Sequence, residues 1–126
     1  MKFALKILPV LFGVLSIISL VACAQNKTEV ASGLQIIDHK LTVHSFTGDV
    51  LKSIAAIDGR IKNTAEVPLA SVSITISFFD KDGNLLNTSK TNQQNLQSEE
   101  VRIFNVQFSG PDAWKTVRYE ISASTP

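Results

Sequence analysis

The chain has 126 residues, one cysteine and a formal net charge of +1. That length fits one domain. The near-neutral balance excludes a polycation steered toward nucleic acid, and a lone cysteine excludes an intramolecular disulfide. Lys2 and Lys6 are two of the twelve basic side chains, so a chain cut after residue 22 keeps ten of them against eleven acidic ones.

Residues 1–22 read as a cleaved signal peptide. Lys2 and Lys6 form a positive start, and Ile7 to Val21 is an uncharged, almost wholly apolar run. A run of about 15 residues suits a signal core and is short for a bilayer span, which needs roughly 20. Pro9 and Gly13 interrupt it, as a permanently packed helix would rarely allow. Leu20-Val21-Ala22-Cys23 then resembles the lipobox of bacterial lipoproteins. In that chemistry, apolar residues at Leu20 and Val21 sit in a lipid-embedded peptidase groove. Small Ala22 lets the protease approach, and the Cys23 thiol accepts a diacylglyceryl group. The resemblance implies that Cys23 becomes the lipidated first residue, that the partner at this end is a membrane, and that the protein is held in the cell envelope. Asp at position 24 would be the usual inner-membrane retention signal. The chain has Ala24, so a bacterium with two membranes would place the protein in its outer membrane, facing the periplasm.

Residues 23–33 form the expected tether. The stretch from Ala24 to Gly33 is small and polar with no periodicity, a flexible leash of at most about 33 Å. Residues 34–126 form the expected domain. Its signal has period two: Val72, Ile74, Ile76 and Phe78 alternate with Ser71, Ser73, Thr75 and Ser77. Val117, Tyr119, Ile121 and Ala123 alternate in the same way, as do Phe104, Val106 and Phe108. Ile103 beside Phe104 breaks phase and predicts a bulge or a strand start. Ile57, Gly59 and Ile61 give another strand, and Leu41 and Val43 lie in one beginning near Leu34. Leu85 and Leu86 begin a short one. Asp80-Lys81-Asp82-Gly83-Asn84 predicts a hairpin turn with Gly83 left-handed. Six to seven strands without helical spacing predict an all-β fold, an antiparallel, immunoglobulin-like β-sandwich.

The strand Ile76-Ser77-Phe78-Phe79-Asp80, with Gly59-Arg60-Ile61-Lys62-Asn63 upstream and Leu96-Gln97-Ser98-Glu99-Glu100 downstream, resembles the FxLYD domain. This module of envelope proteins is similar to the DUF3426 group, and the likeness covers roughly residues 34–123. Ile76 stands where the motif has Phe, Phe79 where it has Tyr, and Ser98-Glu99 where it has Pro-Gly. The resemblance implies a β-sandwich and supplies no catalytic residue.

The remaining residues offer little chemistry. Asp80, Asp82 and Asn84 start like a calcium loop, but the glycine comes fourth and the twelfth residue is Thr91. His39 and His44 are five apart, which points them to opposite faces of one strand. No Ser lies in a nucleophile elbow, and adjacent Glu99 and Glu100 face apart. No cofactor or metal is implied, and an enzyme is not expected. Trp114 has two readings, a cap on the open end of the sandwich and an anchor for a partner. The expectation is a lipid-anchored, non-enzymatic envelope protein whose sandwich binds or positions another envelope component, an envelope protein above all. The alternative is a lipoprotein that binds a small ligand or metal through its strand-end loops.

Overall fold

The computed structural model describes residues 26–46 and 49–126. The expected signal peptide and the lipobox residues Leu20, Val21, Ala22 and Cys23 lie outside the described residues. The fold is an all-β sandwich with immunoglobulin-like architecture. Its strands are β1 (Lys27–Val30), β2 (Leu34–Phe46), β3 (Asp49–Asn63), β4 (Leu69–Phe79), β5 (Leu85–Leu96), β6 (Val101–Gly110) and β7 (Arg118–Ser124). One sheet has the order β1-β7-β4-β5, the other β2-β3-β6.

The alternation seen in the sequence becomes two facing apolar layers. From β4 come Val72, Ile74, Ile76 and Phe78, and from β7 Tyr119, Ile121 and Ala123. The opposite sheet contributes Ala55, Ile57 and Ile61 from β3, with Phe104 and Val106 from β6. Each fully buried aliphatic or aromatic side chain of this kind contributes about 1.5–3 kcal/mol. The serines and threonines between the β4 core residues face outward, where Ser73 Oγ donates to Asn92 Oδ1 at 2.9 Å and Ser77 Oγ meets Thr88 Oγ1 at 3.3 Å on neighbouring β5.

Gly59 makes the two layers close. It sits on the core side of β3, between His39 of β2 and Phe104 of β6. A Cβ there would lie 2.4 Å from Phe104 Cζ and 2.6 Å from the Asp38 carbonyl oxygen. The glycine therefore makes room for the Phe104 ring. At the next inward position but one, Asn63 is fully buried and fully used. Its Nδ2 donates to the Val67 and Leu96 carbonyls at 2.9 and 3.0 Å, and its Oδ1 accepts from Ala65 N at 2.8 Å. One side chain thus fixes the β3–β4 turn and ties it to the end of β5.

Both open edges of the sandwich carry polar clips. Across the β2 edge, His39 Nδ1 and the Tyr119 hydroxyl are 2.5 Å apart. Across the β5–β6 edge, Arg102 donates to the Gln94 and Asn95 carbonyls at 2.6 and 3.2 Å.

Four expectations need correction. The tether is not wholly a leash: Lys27–Val30 is a strand, with Ala31 N donating to Ala123 O at 2.9 Å. The edge of β7 has free backbone groups, and a polar segment can pair with them without any apolar pattern of its own. That pair runs parallel, so the sandwich is not purely antiparallel. The strand starting at Leu85 is long rather than short, reaching Leu96. As an edge strand it places only half-buried Asn87, Ser89, Thr91 and Gln93 beside the β4 core residues, so polar side chains are tolerated on both faces. Finally, Ile103 marks no bulge, because β6 pairs with β3 in unbroken register. It is simply an apolar residue on the wet face, 73% exposed. The register shifts fall elsewhere, between Ile36 and Asp38 and between Ser45 and Phe46 on β2, and between Phe78 and Phe79 on β4.

Candidate functional site

Strand directions gather one set of features at a single end of the sandwich. Phe79 of β4 pairs with Arg118, the first residue of β7, and with Leu85, the first residue of β5. The Asp80–Asn84 turn therefore lies at this end. Ser53 of β3 pairs with Gly110, the last residue of β6, so the Gly110–Val117 connection lies there too. Because β1 is parallel to β7, it also begins at this end.

The turn forms as its residues predict. Gly83 has φ of +83°, and its N–H donates to Asp80 O at 3.1 Å. Asp80 Oδ1 accepts from Asp82 N and Asn84 N, both at 2.9 Å. These backbone donors, those of Asn84 foremost, hold the Asp80 carboxyl below the usual range against some desolvation, and the Lys115 charge adds to the lowering. The loop is held by hydrogen bonds to its own carboxylate.

The facing wall is a single 3-10 turn, Ala113–Lys115. Ala113 is wholly buried in the core. The end cap is thus Ala113, and the expected capping role of Trp114 is not what the structure shows. The Trp114 side chain is 45% exposed, yet its backbone is fixed: its N–H donates to the buried Ser53 Oγ at 3.0 Å, and Ser53 in turn donates to Gly110 O at 2.8 Å. Lys115 Nζ lies 5.7 Å from the centre of the indole and 3.0 Å from Asp112 Oδ1. Beside it Val117 is 60% exposed, although its N–H is tied to Phe79 O at 3.0 Å. Together Asp80, Lys81, Asp82, Trp114, Lys115 and Val117 line a cleft of about 410 Å³. The arrangement is a rigid, partly apolar surface with balanced charges. It contains no paired acid and base within reach of a nucleophile.

The other expected residues are dispersed. His39 and His44 pair with Gly59 and Ile54 and so face opposite ways. His39 packs edge-on against Tyr119, with ring centres 5.4 Å apart. Burial pushes the Tyr119 hydroxyl's pKa up. Glu100 accepts from Gln97 N and pairs with Arg102 at 2.8 Å, which makes it part of a turn. Among the described residues no three His, Cys, Asp or Glu side chains converge as a metal site would need. No helix among them is long and apolar enough to cross a membrane.

Sequence reasoning missed a second surface, on the outer face of β2-β3-β6. Ile103 stands there beside Asp38, Lys40, Asp58 and Arg60. Arg60 donates from Nε and Nη2 to Asp38 Oδ2 at 2.9 and 2.5 Å. That hydrogen bond, with the Arg60 charge, holds the Asp38 carboxyl below its usual range. The phase break at Ile103 was the available signal.

No family model matches the chain, and no curated protein does. Among solved structures it is similar to Campylobacter jejuni cj0090, with a TM-score of 0.52 at 11% identity over 81% of this chain and all of that one. This likeness shows a shared β-sandwich fold and no more. A β-glucuronidase from Bacteroides uniformis aligns with a TM-score of 0.46 at 17% identity, over 68% of this chain and 13% of the enzyme. IrmA from Escherichia coli aligns with a TM-score of 0.44 at 19% identity, over 74% of this chain and 75% of that one. Neither of these two bears on function.

Proposed function

We propose that this protein is a lipid-anchored, non-enzymatic envelope module of FxLYD type, which contacts another envelope component through the Trp114 end of its sandwich. The observation that carries the contact surface is the fixed backbone beneath an exposed indole. Ser53 holds Trp114 N from the core side, so the ring is presented without the usual entropic cost of ordering a loop. Such pre-organised aromatic anchors dominate binding surfaces. The lipobox Leu20-Val21-Ala22-Cys23 supports the anchor, since two or three acyl chains on Cys23 at about 0.8 kcal/mol per buried CH₂ would hold the domain nearly permanently. The balanced charges of the cleft and the absence of convergent acid, base and nucleophile support a binding role over a catalytic one.

The experiment is fractionation of Cys23→Ala beside Trp114→Ala in living cells. Cys23→Ala leaves an unprocessed precursor or a domain released from the membrane. Trp114→Ala is processed and anchored normally but loses crosslinks formed at its end of the sandwich. A Cys23→Ala protein that is processed and sediments like the wild type refutes the anchor. Unchanged crosslinks in Trp114→Ala refute the contact surface.

A further inference from the structure

Chain direction decides which way this tip faces. Strand β1 begins at Lys27, opposite Glu120 near the start of β7, and the Asn26 Oδ1 accepts from Tyr119 N at 3.0 Å. The chain therefore leaves the sandwich toward its N-terminus at the end that carries Trp114, Lys115 and Val117. Had Lys27–Val30 been a leash, Cys23 would stand eleven residues from the fold at Leu34 and the domain would tumble freely. With β1 docked, only Ala24 and Gln25 separate Cys23 from Asn26, a reach of about 10 Å at full extension. On the anchor reading given above, a lipid on Cys23 brings this end of the sandwich against the bilayer surface.

The chemistry of the tip fits that location. Trp114 is half-exposed, and tryptophan, with its apolar body and indole N–H, is with tyrosine enriched at the membrane–water boundary. Val117 at 60% and Leu85 at 58% exposure add apolar surface at the same end. Lys81 and Lys115 flank the ring, with stems that can lie along apolar surface while their amines stay wet. Asp80, Asp82 and Asp112 outnumber these two lysines by one charge, so the tip carries no net attraction for anionic headgroups.

We infer that the envelope component met by the Trp114 end is the bilayer itself: the tip is a second membrane contact, seated in the headgroup layer of the bilayer that holds Cys23, and it fixes the sandwich upright. The strands then run away from the membrane. The opposite end, with the Asn63–Leu69 turn and the Gln97–Glu100 turn, points outward. The exposed face around Ile103 stands clear of the lipid, open to a protein.

Trp114 is the only tryptophan in the chain, so intrinsic fluorescence reads this site alone. The full protein is purified from membranes, its Cys23 lipid is checked by intact mass, and it is reconstituted into phosphatidylethanolamine–phosphatidylcholine vesicles with brominated acyl chains. Trp114 emission should shift to shorter wavelength and lose intensity against unbrominated vesicles, and raised salt should leave this unchanged. Val117→Asp keeps the reporter, and its exposed position spares the fold; it should lose both the shift and the quenching. A lipidated protein whose Trp114 emits as in detergent-free buffer overturns the docking and leaves the anchor standing. A protein without lipid on Cys23 overturns both. Emission that shifts only in native membranes assigns the tip to a protein, and the lipid docking falls.

Discussion

Asn63 makes the sharpest test of how this sandwich is held. Asn63→Ala removes three hydrogen bonds from one wholly buried side chain, leaving the Leu96 and Val67 carbonyls and the Ala65 N–H without their partner. A net loss of about 1 kcal/mol for each bond gives roughly 3 kcal/mol, and the buried Leu96 carbonyl adds to this if no water reaches it. For a domain of this size each kcal/mol moves the melting temperature by about 4–8 °C, so the midpoint should fall by roughly 12–24 °C. Asn63→Asp separates donors from acceptor. It keeps an oxygen for Ala65 N but sets a carboxylate against two carbonyls, so it should cost as much at neutral pH and recover in part when protonated. Urea unfolding followed by far-ultraviolet circular dichroism measures both, with an unchanged slope showing that the same surface is exposed. A loss below about 1 kcal/mol for Asn63→Ala would refute the assignment of Asn63 as the lock between the β3–β4 turn and β5.

Further outcomes follow from the same geometry. Gly59→Ala should cost on the order of 1–3 kcal/mol or more, because its Cβ meets both the Phe104 ring and the Asp38 carbonyl; Phe104→Leu in the same chain should restore only part, as the second clash remains, and thermal melts of the single and double variants read this. The carboxyls of Asp38, Asp80 and Glu100 are all held below their ordinary pKa in the fold. Their contribution is present above the unfolded carboxylate pKa and is lost as pH falls through the lower folded values, so stability should decline from about pH 4 downward. Salt should weaken the Asp38 part, which rests on Arg60, more than the Asp80 and Glu100 parts, whose largest contributions come from the backbone N–H groups of Asn84 and Gln97. Arg102→Gln should raise amide exchange along Asn92–Leu96 while leaving β4 protected, because it opens only the β5–β6 edge.

The strands of the core were legible in the sequence because each buries one face. Ser71 to Phe78 and Tyr119 to Ala123 alternate so regularly that no other element fits them. The Asp80–Asn84 turn was equally legible, since its carboxylate and glycine create the turn by local hydrogen bonds. Strand β1 and the length of β5 were not, for one reason: both are edge strands held by backbone pairing, and neither places a row of large apolar side chains in the core. The run Thr88 to Asn95 is polar throughout, and nothing in its pattern separates it from a loop. The buried roles of Asn63 and Gly59 were visible only as positions in a motif, because their partners, Leu96 and Phe104, are distant in the chain. Trp114 was singled out as a residue, but its meaning depended on the direction of β1. A leash at residues 24–33 gives the tryptophan no relation to the N-terminal segment, whereas a strand starting at Lys27 brings Asn26, the first described residue, to the tryptophan's end of the sandwich.

The claim on which the functional account rests is the processing of Cys23. Intact mass spectrometry of the protein extracted from membranes tests it most directly. The account predicts a chain that begins at Cys23 and carries the added mass of a diacylglyceryl group, with or without a further acyl chain on its amine. A chain that retains residues 1–22, or one that begins elsewhere with an unmodified Cys23, would contradict it.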